Sequence, residues 1–95
     1  MKLIELKGDF KTRRIWLDGE LLSPAKSLKI RNHSPDGFNW GYGGSGPSQL
    51  ALAICLELFG SQSDYQSFKW DIIAKLPNSD FSELIEIDDT KYLNL

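Results

Sequence analysis

The chain contains one cysteine and one histidine among its 95 residues, and this scarcity excludes several classes of protein. A single cysteine cannot form an internal disulfide, and one histidine without cysteine partners argues against a zinc-type metal site. No segment approaches the roughly 18 consecutive apolar residues of a membrane span. The first ten residues alternate apolar and polar side chains and lack the apolar core of a signal peptide. We therefore expect a cytoplasmic protein without a metal, a cofactor or a membrane partner.

The charge is small and unevenly distributed. The formal net charge is −2, but residues 1–31 carry eight Lys and Arg against four Asp and Glu, whereas the remainder carries three against nine. A general nucleic-acid-binding protein must neutralise many phosphates, so nucleic acid is not an expected partner of this acidic chain. The basic third could face a single anionic group, or it could solvate the outer face of a β-hairpin.

Alternating side chains at both ends of the chain predict short strands. The first two are expected to form an antiparallel hairpin, and the turn dipeptide Asp18-Gly19 then leads into a short further strand. The predicted extended segments are residues 2–7, 13–17, 20–22, 27–31 and 84–87. Asp88 or Asp89 is expected to cap a final turn that carries Tyr92 and Leu95.

Two helices are predicted in the second half. The first begins near Pro47 and ends near Gly60, because proline suits the first helical turn and glycine the left-handed stop. Its side chains are apolar nearly all round, which predicts a buried helix. The second begins at Ser63, where Gln66 completes a capping-box pattern. The element order predicts one α+β domain over residues 1–95, with a small antiparallel β-sheet packed against two helices, the first largely buried.

Residues 31–48 form the most informative segment. They read RNHSPDGFNWGYGGSGPS, with five glycines placed directly before the buried helix. Glycines at this position leave backbone N–H groups accessible beside a helix N-terminus, which is a combination that binds anions. Three aromatic residues alternate ahead of them and suit a nucleotide-like ligand. The segment matches neither the Walker A pattern nor the GxGxxG spacing.

We therefore predict a ligand-binding surface in this loop. Backbone N–H groups at positions 43–45 would donate to the ligand, two rings would stack, and Arg31 or His33 would add polar contacts. The predicted site residues are Arg31, His33, Trp40, Tyr42, Gly43, Gly44 and Ser45. The alternative is that the glycines serve only to let the backbone turn sharply and pack. No catalytic residue is assigned.

Two blocks of the sequence resemble the core of a domain family of unknown function found in bacteria, plasmids and phages. They are RNHSPDGFNWGYGGSGPSQLALAI and YQSFKWDIIAKLP, which together span roughly residues 31–77. The resemblance implies no reaction, cofactor or catalytic residue. It implies a context of small accessory proteins of mobile elements, in which interference with host defence is a recurring role.

Three functions follow as hypotheses. The first is a non-enzymatic protein that sequesters a nucleotide-like anion in the loop. The second is a protein–protein inhibitor that covers a host defence enzyme with aromatic and acidic side chains. The third is a small hydrolase in which His33 acts as the base, Asp36 orients it and Ser45 attacks. Open sheet edges also leave room for a homodimer.

Overall fold

A four-stranded antiparallel sheet organises the chain, with strand order β3-β2-β1-β4. The structure is a computed structural model and describes residues 1–60 and 63–93. The elements in chain order are β1 (Lys2–Asp9), β2 (Arg14–Leu17), β3 (Glu20–Leu21), α1 (Ala25–Ile30), α2 (Ser45–Phe59), α3 (Tyr65–Asp71), a short 3₁₀ helix (Ile73–Lys75) and β4 (Phe81–Ile87). The α+β prediction is confirmed.

The sheet has one buried and one open face, as the alternation predicted. Ile4 and Leu6 of β1 are fully buried in the core, whereas Leu3 of the same strand points to the outer face and is exposed. The register places Ile4 opposite Ile85 of β4 and Leu6 opposite Leu17 of β2. The buried face therefore has β1 at its centre, and the helices cover it.

Residues 27–30 of the segment 27–31, predicted to be extended, instead form the end of helix α1, and Arg31 is its extended C-cap. Pro24 occupies the N-cap position, and the Ser27 hydroxyl donates to its carbonyl oxygen at 2.8 Å. Ser27 is fully buried and accepts a hydrogen bond from the side chain of Gln49 on α2. A run of five residues is too short for its periodicity to distinguish helix from strand, so this contact with α2 decided the structure.

Helix α2 is the buried centre of the fold, as predicted. Ten consecutive residues, 46–55, are buried. The helix begins two residues before Pro47 because Gly44 serves as the N-cap and its carbonyl accepts from the Ser48 N–H at 3.0 Å. It ends at Phe59, and Gly60 adopts the expected left-handed φ of 82°.

Helix α3 begins later than the capping-box pattern indicated. Asp64 is its N-cap, and its carboxylate accepts from the Ser67 N–H at 3.2 Å. Ser63 lies outside the helix and forms an isolated bridge with Leu93. At the other end of the chain, Asp88 accepts from the Thr90 N–H as a turn cap, and Leu95 lies outside the described residues.

Within residues 1–60 and 63–93, no helix is long and apolar enough to cross a membrane. The same part of the chain contains no group of three His, Cys, Asp or Glu that could hold a metal ion.

Candidate functional site

The start of loop 31–44 is anchored by one buried amide, that of Gln49 on α2. Its Oε1 accepts from the backbone N–H groups of His33 at 2.8 Å and Ser34 at 3.1 Å. Its Nε2 donates to the Ser27 hydroxyl at 2.8 Å and to the Arg31 carbonyl at 3.1 Å. A buried amide with all four bonds satisfied holds its partners in a single arrangement. Gln49 therefore fixes the end of α1 and the beginning of the loop against α2.

The middle of the loop is anchored to the segment after α3. The Gly41 N–H donates to the Ile73 carbonyl at 3.0 Å, and the Asn78 side chain donates to the Trp40 carbonyl at 2.9 Å. Gly41 has a φ of 84°, and a Cβ there would lie 3.0 Å from the backbone of residues 76 and 78. Both the conformation and the close approach require glycine.

His33 faces α3 and is bonded to it. Its Nε2 lies 2.8 Å from the Tyr65 hydroxyl, and the two rings pack edge to face at 5.6 Å. Burial lowers the pKa of His33 below its usual 6.5, and the positive charges of Arg31 and Lys69 lower it further. The imidazole is therefore a neutral hydrogen-bonding group at neutral pH, in a positive environment.

Lys69 supplies the unusual charge of this region. Only 8% of the residue is exposed, and its ammonium lies 4.3 Å from the centroid of the Trp70 ring. Among the described residues, no carboxylate lies within 4.0 Å of this ammonium. Most of the Lys69 side chain is therefore covered, and its ammonium lies over the Trp70 ring instead of against a carboxylate of the described residues.

The N-terminus of α2 has a positive end that its own first turn does not neutralise, and it contacts α3, the helix that carries Lys69. Its N-cap residue is a glycine, which has no side chain to cap the first turn, and that turn contains no acidic residue. The Ser48 hydroxyl lies 3.4 Å from the Oε1 of Gln66, which is one turn before Lys69 on α3. The first N–H groups of a helix together carry about half a positive charge and donate hydrogen bonds to bound anions.

Two half-exposed rings lie against the glycines that precede α2. A Cβ at Gly43 would lie 2.2 Å from the ring of Trp70, and a Cβ at Gly44 would lie 2.3 Å from the ring of Tyr42. Trp70 is 56% exposed and Tyr42 is 45% exposed. The glycines therefore have a packing role, as the alternative interpretation held, and they also bring two aromatic surfaces close to the helix N-terminus.

Trp40 cannot take the stacking role that the sequence analysis assigned to it. It is fully buried between Phe10 and Phe81, with ring centroids at 5.8 and 5.4 Å. Its Nε1 donates to the Ser79 carbonyl at 2.9 Å. A ring with no exposed face has no surface for a ligand. Trp70 is the exposed tryptophan beside the loop, and no local sequence signal distinguishes it from Trp40.

The remaining predicted residues lie around the same helix end. Arg31 is exposed and close enough to His33 to lower the pKa of the imidazole. Tyr42, Gly43, Gly44 and Ser45 form the approach to α2. The hydrolase constellation is not assembled among the described residues, because the ring of His33 bonds to Tyr65 and to neither Ser45 nor Asp36.

A separate groove lies at the other end of α2. It has a volume of about 740 Å³ and its walls include Leu22, Lys26 and Glu57. Its charged side chains have both signs, and Lys26 is paired with Glu57 at 3.5 Å. The residues that line this groove include no aromatic side chain, so we place the candidate site at the loop.

The fold and this site define a small α+β domain in which an uncapped helix N-terminus, a buried lysine and two exposed rings meet. The chain belongs to DUF6166, a family of unknown function, whose family model matches residues 6–92. No curated protein and no solved structure matches the chain. The family match extends beyond residues 31–77 to most of the N-terminal hairpin and to the C-terminal turn.

Proposed function

We propose that this protein is a non-enzymatic protein that binds an anionic small molecule at the N-terminus of α2. The binding surface, called here the loop–α3 surface, consists of Arg31, His33, residues 42–45, Lys69 and Trp70. The observation that carries the proposal is Lys69, a cation with 8% exposure and no carboxylate partner in the described part of the chain.

Three sources of positive potential converge on this surface. They are the ammonium of Lys69, the guanidinium of Arg31 and the uncapped end of a 15-residue helix. A hydrogen bond to a charged group contributes about 1.5–3 kcal/mol, so two or three such bonds sum to about 3–9 kcal/mol, which corresponds to a Kd between about 6 mM and about 0.3 µM. Arg31 is exposed, and salt should therefore weaken binding.

The resemblance to proteins of phages, plasmids and bacteria supports a role in sequestration. A small accessory protein that holds an anionic signal in the cytoplasm needs a binding site and no catalytic groups. The Nε2 of His33 is bonded to the Tyr65 hydroxyl at 2.8 Å, so this ring nitrogen is already engaged within the fold. We propose interference with a host signal as the biological setting.

The test is a titration of the purified protein with inorganic phosphate at low ionic strength, followed by thermal unfolding. Ligand at 100 times its Kd should add about 2.7 kcal/mol to the free energy of unfolding. Lys69→Met keeps the apolar stem and removes the charge. It should abolish this gain while leaving the ligand-free protein as stable as before, or more stable by about 1 kcal/mol.

The matched control is Lys75→Met, which removes an exposed lysine from the adjacent 3₁₀ helix. It should bind phosphate as the parent protein does. An unchanged affinity in Lys69→Met, or a parent protein that phosphate does not stabilise, would overturn the proposal.

A protein–protein inhibitor is the second candidate, and the two exposed rings favour it. Half-exposed tryptophan and tyrosine side chains are typical anchors of protein interfaces. This function predicts no stabilisation by small anions. It also predicts a host enzyme that co-purifies with the parent protein and is lost on Trp70→Ala. A Trp70→Ala variant that retains the enzyme would exclude this surface as the interface.

A further inference from the structure

We infer that the anion bound at the loop–α3 surface carries an aromatic ring, as in a nucleoside monophosphate, and that Trp70 recognises that ring. This inference rests on the proposed function and specifies its ligand class. The stacking role that the sequence suggested for Trp40 is assigned here to Trp70, because Trp40 is fully buried and Trp70 is exposed.

The first argument is the distance between the cation and the ring. The Lys69 ammonium lies 4.3 Å from the Trp70 centroid. An anionic oxygen that accepts a charge-assisted hydrogen bond from this ammonium lies about 2.8 Å beyond it. The bound group is then within about 7 Å of the Trp70 centroid, so a substituent of the phosphate reaches the ring.

The second argument is that Trp70 is held in place while more than half of it stays exposed, although the Lys69 ammonium lies over one part of the ring. One edge of its six-membered ring lies against the backbone at Gly43, where a Cβ would approach to 2.2 Å. Among the described residues the ring forms no aromatic pair, although Trp40, His33, Phe59 and Phe68 all do. A tryptophan that is fixed at one edge and 56% exposed is preorganised for stacking on a planar group.

The third argument is the second ring. Tyr42 lies against Gly44, the residue next to Gly43, and is 45% exposed. The approach to the helix N-terminus therefore has aromatic surfaces at two consecutive backbone positions. Stacking of a base on such side chains is tolerant of base identity, so this geometry selects an aromatic phosphate over a plain phosphate ester.

The experiment compares three probes by calorimetric titration at one ionic strength: adenosine 5′-monophosphate, ribose 5-phosphate and inorganic phosphate. We expect the nucleotide to bind at least about 10-fold more tightly than ribose 5-phosphate, because one stacked base contributes about this factor. Trp70→Leu should remove that advantage, so that the nucleotide and ribose 5-phosphate bind with affinities within about 2-fold of each other.

The chain offers a matched control in Trp16 of β2. Its ring also has a lysine ammonium near it, that of Lys7 at 5.7 Å, but this pair lies on the outer face of the sheet, away from any helix N-terminus. Trp16→Leu should change none of the three affinities. A loss of the nucleotide advantage in Trp16→Leu would show that the ring binds elsewhere and overturn the inference.

The outcomes separate this inference from the proposed function. Equal affinities for the nucleotide and ribose 5-phosphate would overturn the inference and leave anion binding intact. Absence of binding by all three probes would overturn both. An NMR measurement on the parent protein covers the case in which Trp70→Leu does not fold. The nucleotide should shift the exposed Trp70 indole N–H signal more than that of Trp40, which is bonded to Ser79. A Trp70 signal that stays in place at saturation would contradict the inference.

Discussion

Replacing Gln49 with methionine tests how the loop is held. Methionine has nearly the same shape and length as glutamine but neither donates nor accepts strongly, so it removes the hydrogen bonds without leaving a large cavity. The parent side chain is fully buried and makes four hydrogen bonds between 2.8 and 3.1 Å. The variant leaves the backbone N–H groups of His33 and Ser34 without this acceptor.

The expected loss can be estimated from these bonds. Each contributes about 1 kcal/mol net, and a donor left unsatisfied in a buried position costs about 1–3 kcal/mol. The backbone groups of the loop are only partly buried, so water recovers part of that cost. We expect Gln49→Met to lower the free energy of unfolding by about 3–4 kcal/mol. For a chain of this length, that corresponds to a fall in Tm of about 15–25 °C.

The assay is urea unfolding of parent and variant, followed by circular dichroism and by tryptophan fluorescence. The control is Gln66→Met on α3, whose side chain makes one weak contact with Ser48 at 3.4 Å and should cost less than about 1 kcal/mol. If Gln49→Met lowers the stability by no more than Gln66→Met does, the four bonds do not hold the loop and this reasoning fails.

Three further predictions concern protonation, packing and thiol reactivity. The pKa of His33 is lowered in the folded state, so the unfolded state binds a proton more readily. The free energy of unfolding should therefore be constant above about pH 6.5 and fall below it. His33→Gln should flatten this pH dependence in denaturant titrations at about pH 5–7.5. Gly43→Ala should displace the Trp70 ring and cost about 1–3 kcal/mol, and an unshifted Trp70 indole NMR signal would contradict this. Burial raises the pKa of the Cys55 thiol to about 12, so a disulfide reagent at pH 8 should label it only on unfolding; rapid labelling of the native protein would refute this.

Elements with strong local signals were predictable. The hairpin of β1 and β2 followed from alternation, because one face of a strand must be buried, and the short strand β3 followed from the Asp18-Gly19 turn after β2. Helix α2 followed from its continuous apolar sequence and from Gly60, which adopts the left-handed conformation that ends a helix. Helix α1 was missed because its six residues carry too little periodic information, and its buried contact is with Gln49, 22 positions after Ser27.

The candidate site was only partly predictable. Its location at the glycine-rich approach to α2 followed from residue types next to one another in the chain. Which tryptophan is accessible did not, because the burial of Trp40 depends on Phe81, Phe10 and the Ser79 carbonyl, all at least 30 residues away. Lys69 drew no attention in the sequence, since a lysine on a helix is normally solvated.

The sequence by itself determined the α+β class, the buried helix and the place where backbone N–H groups gather, because these depend on periodicity, turn residues and helix ends that act over a few positions. The tertiary structure alone decided that Trp40 is buried, that Trp70 lies against Gly43 and that Lys69 is mostly covered with no carboxylate of the described residues within 4.0 Å of its ammonium. Exposure and charge pairing are properties of the residues that surround a side chain in space. In this protein those residues come from β1, β4 and α3, which only the packing of the sheet and helices brings together.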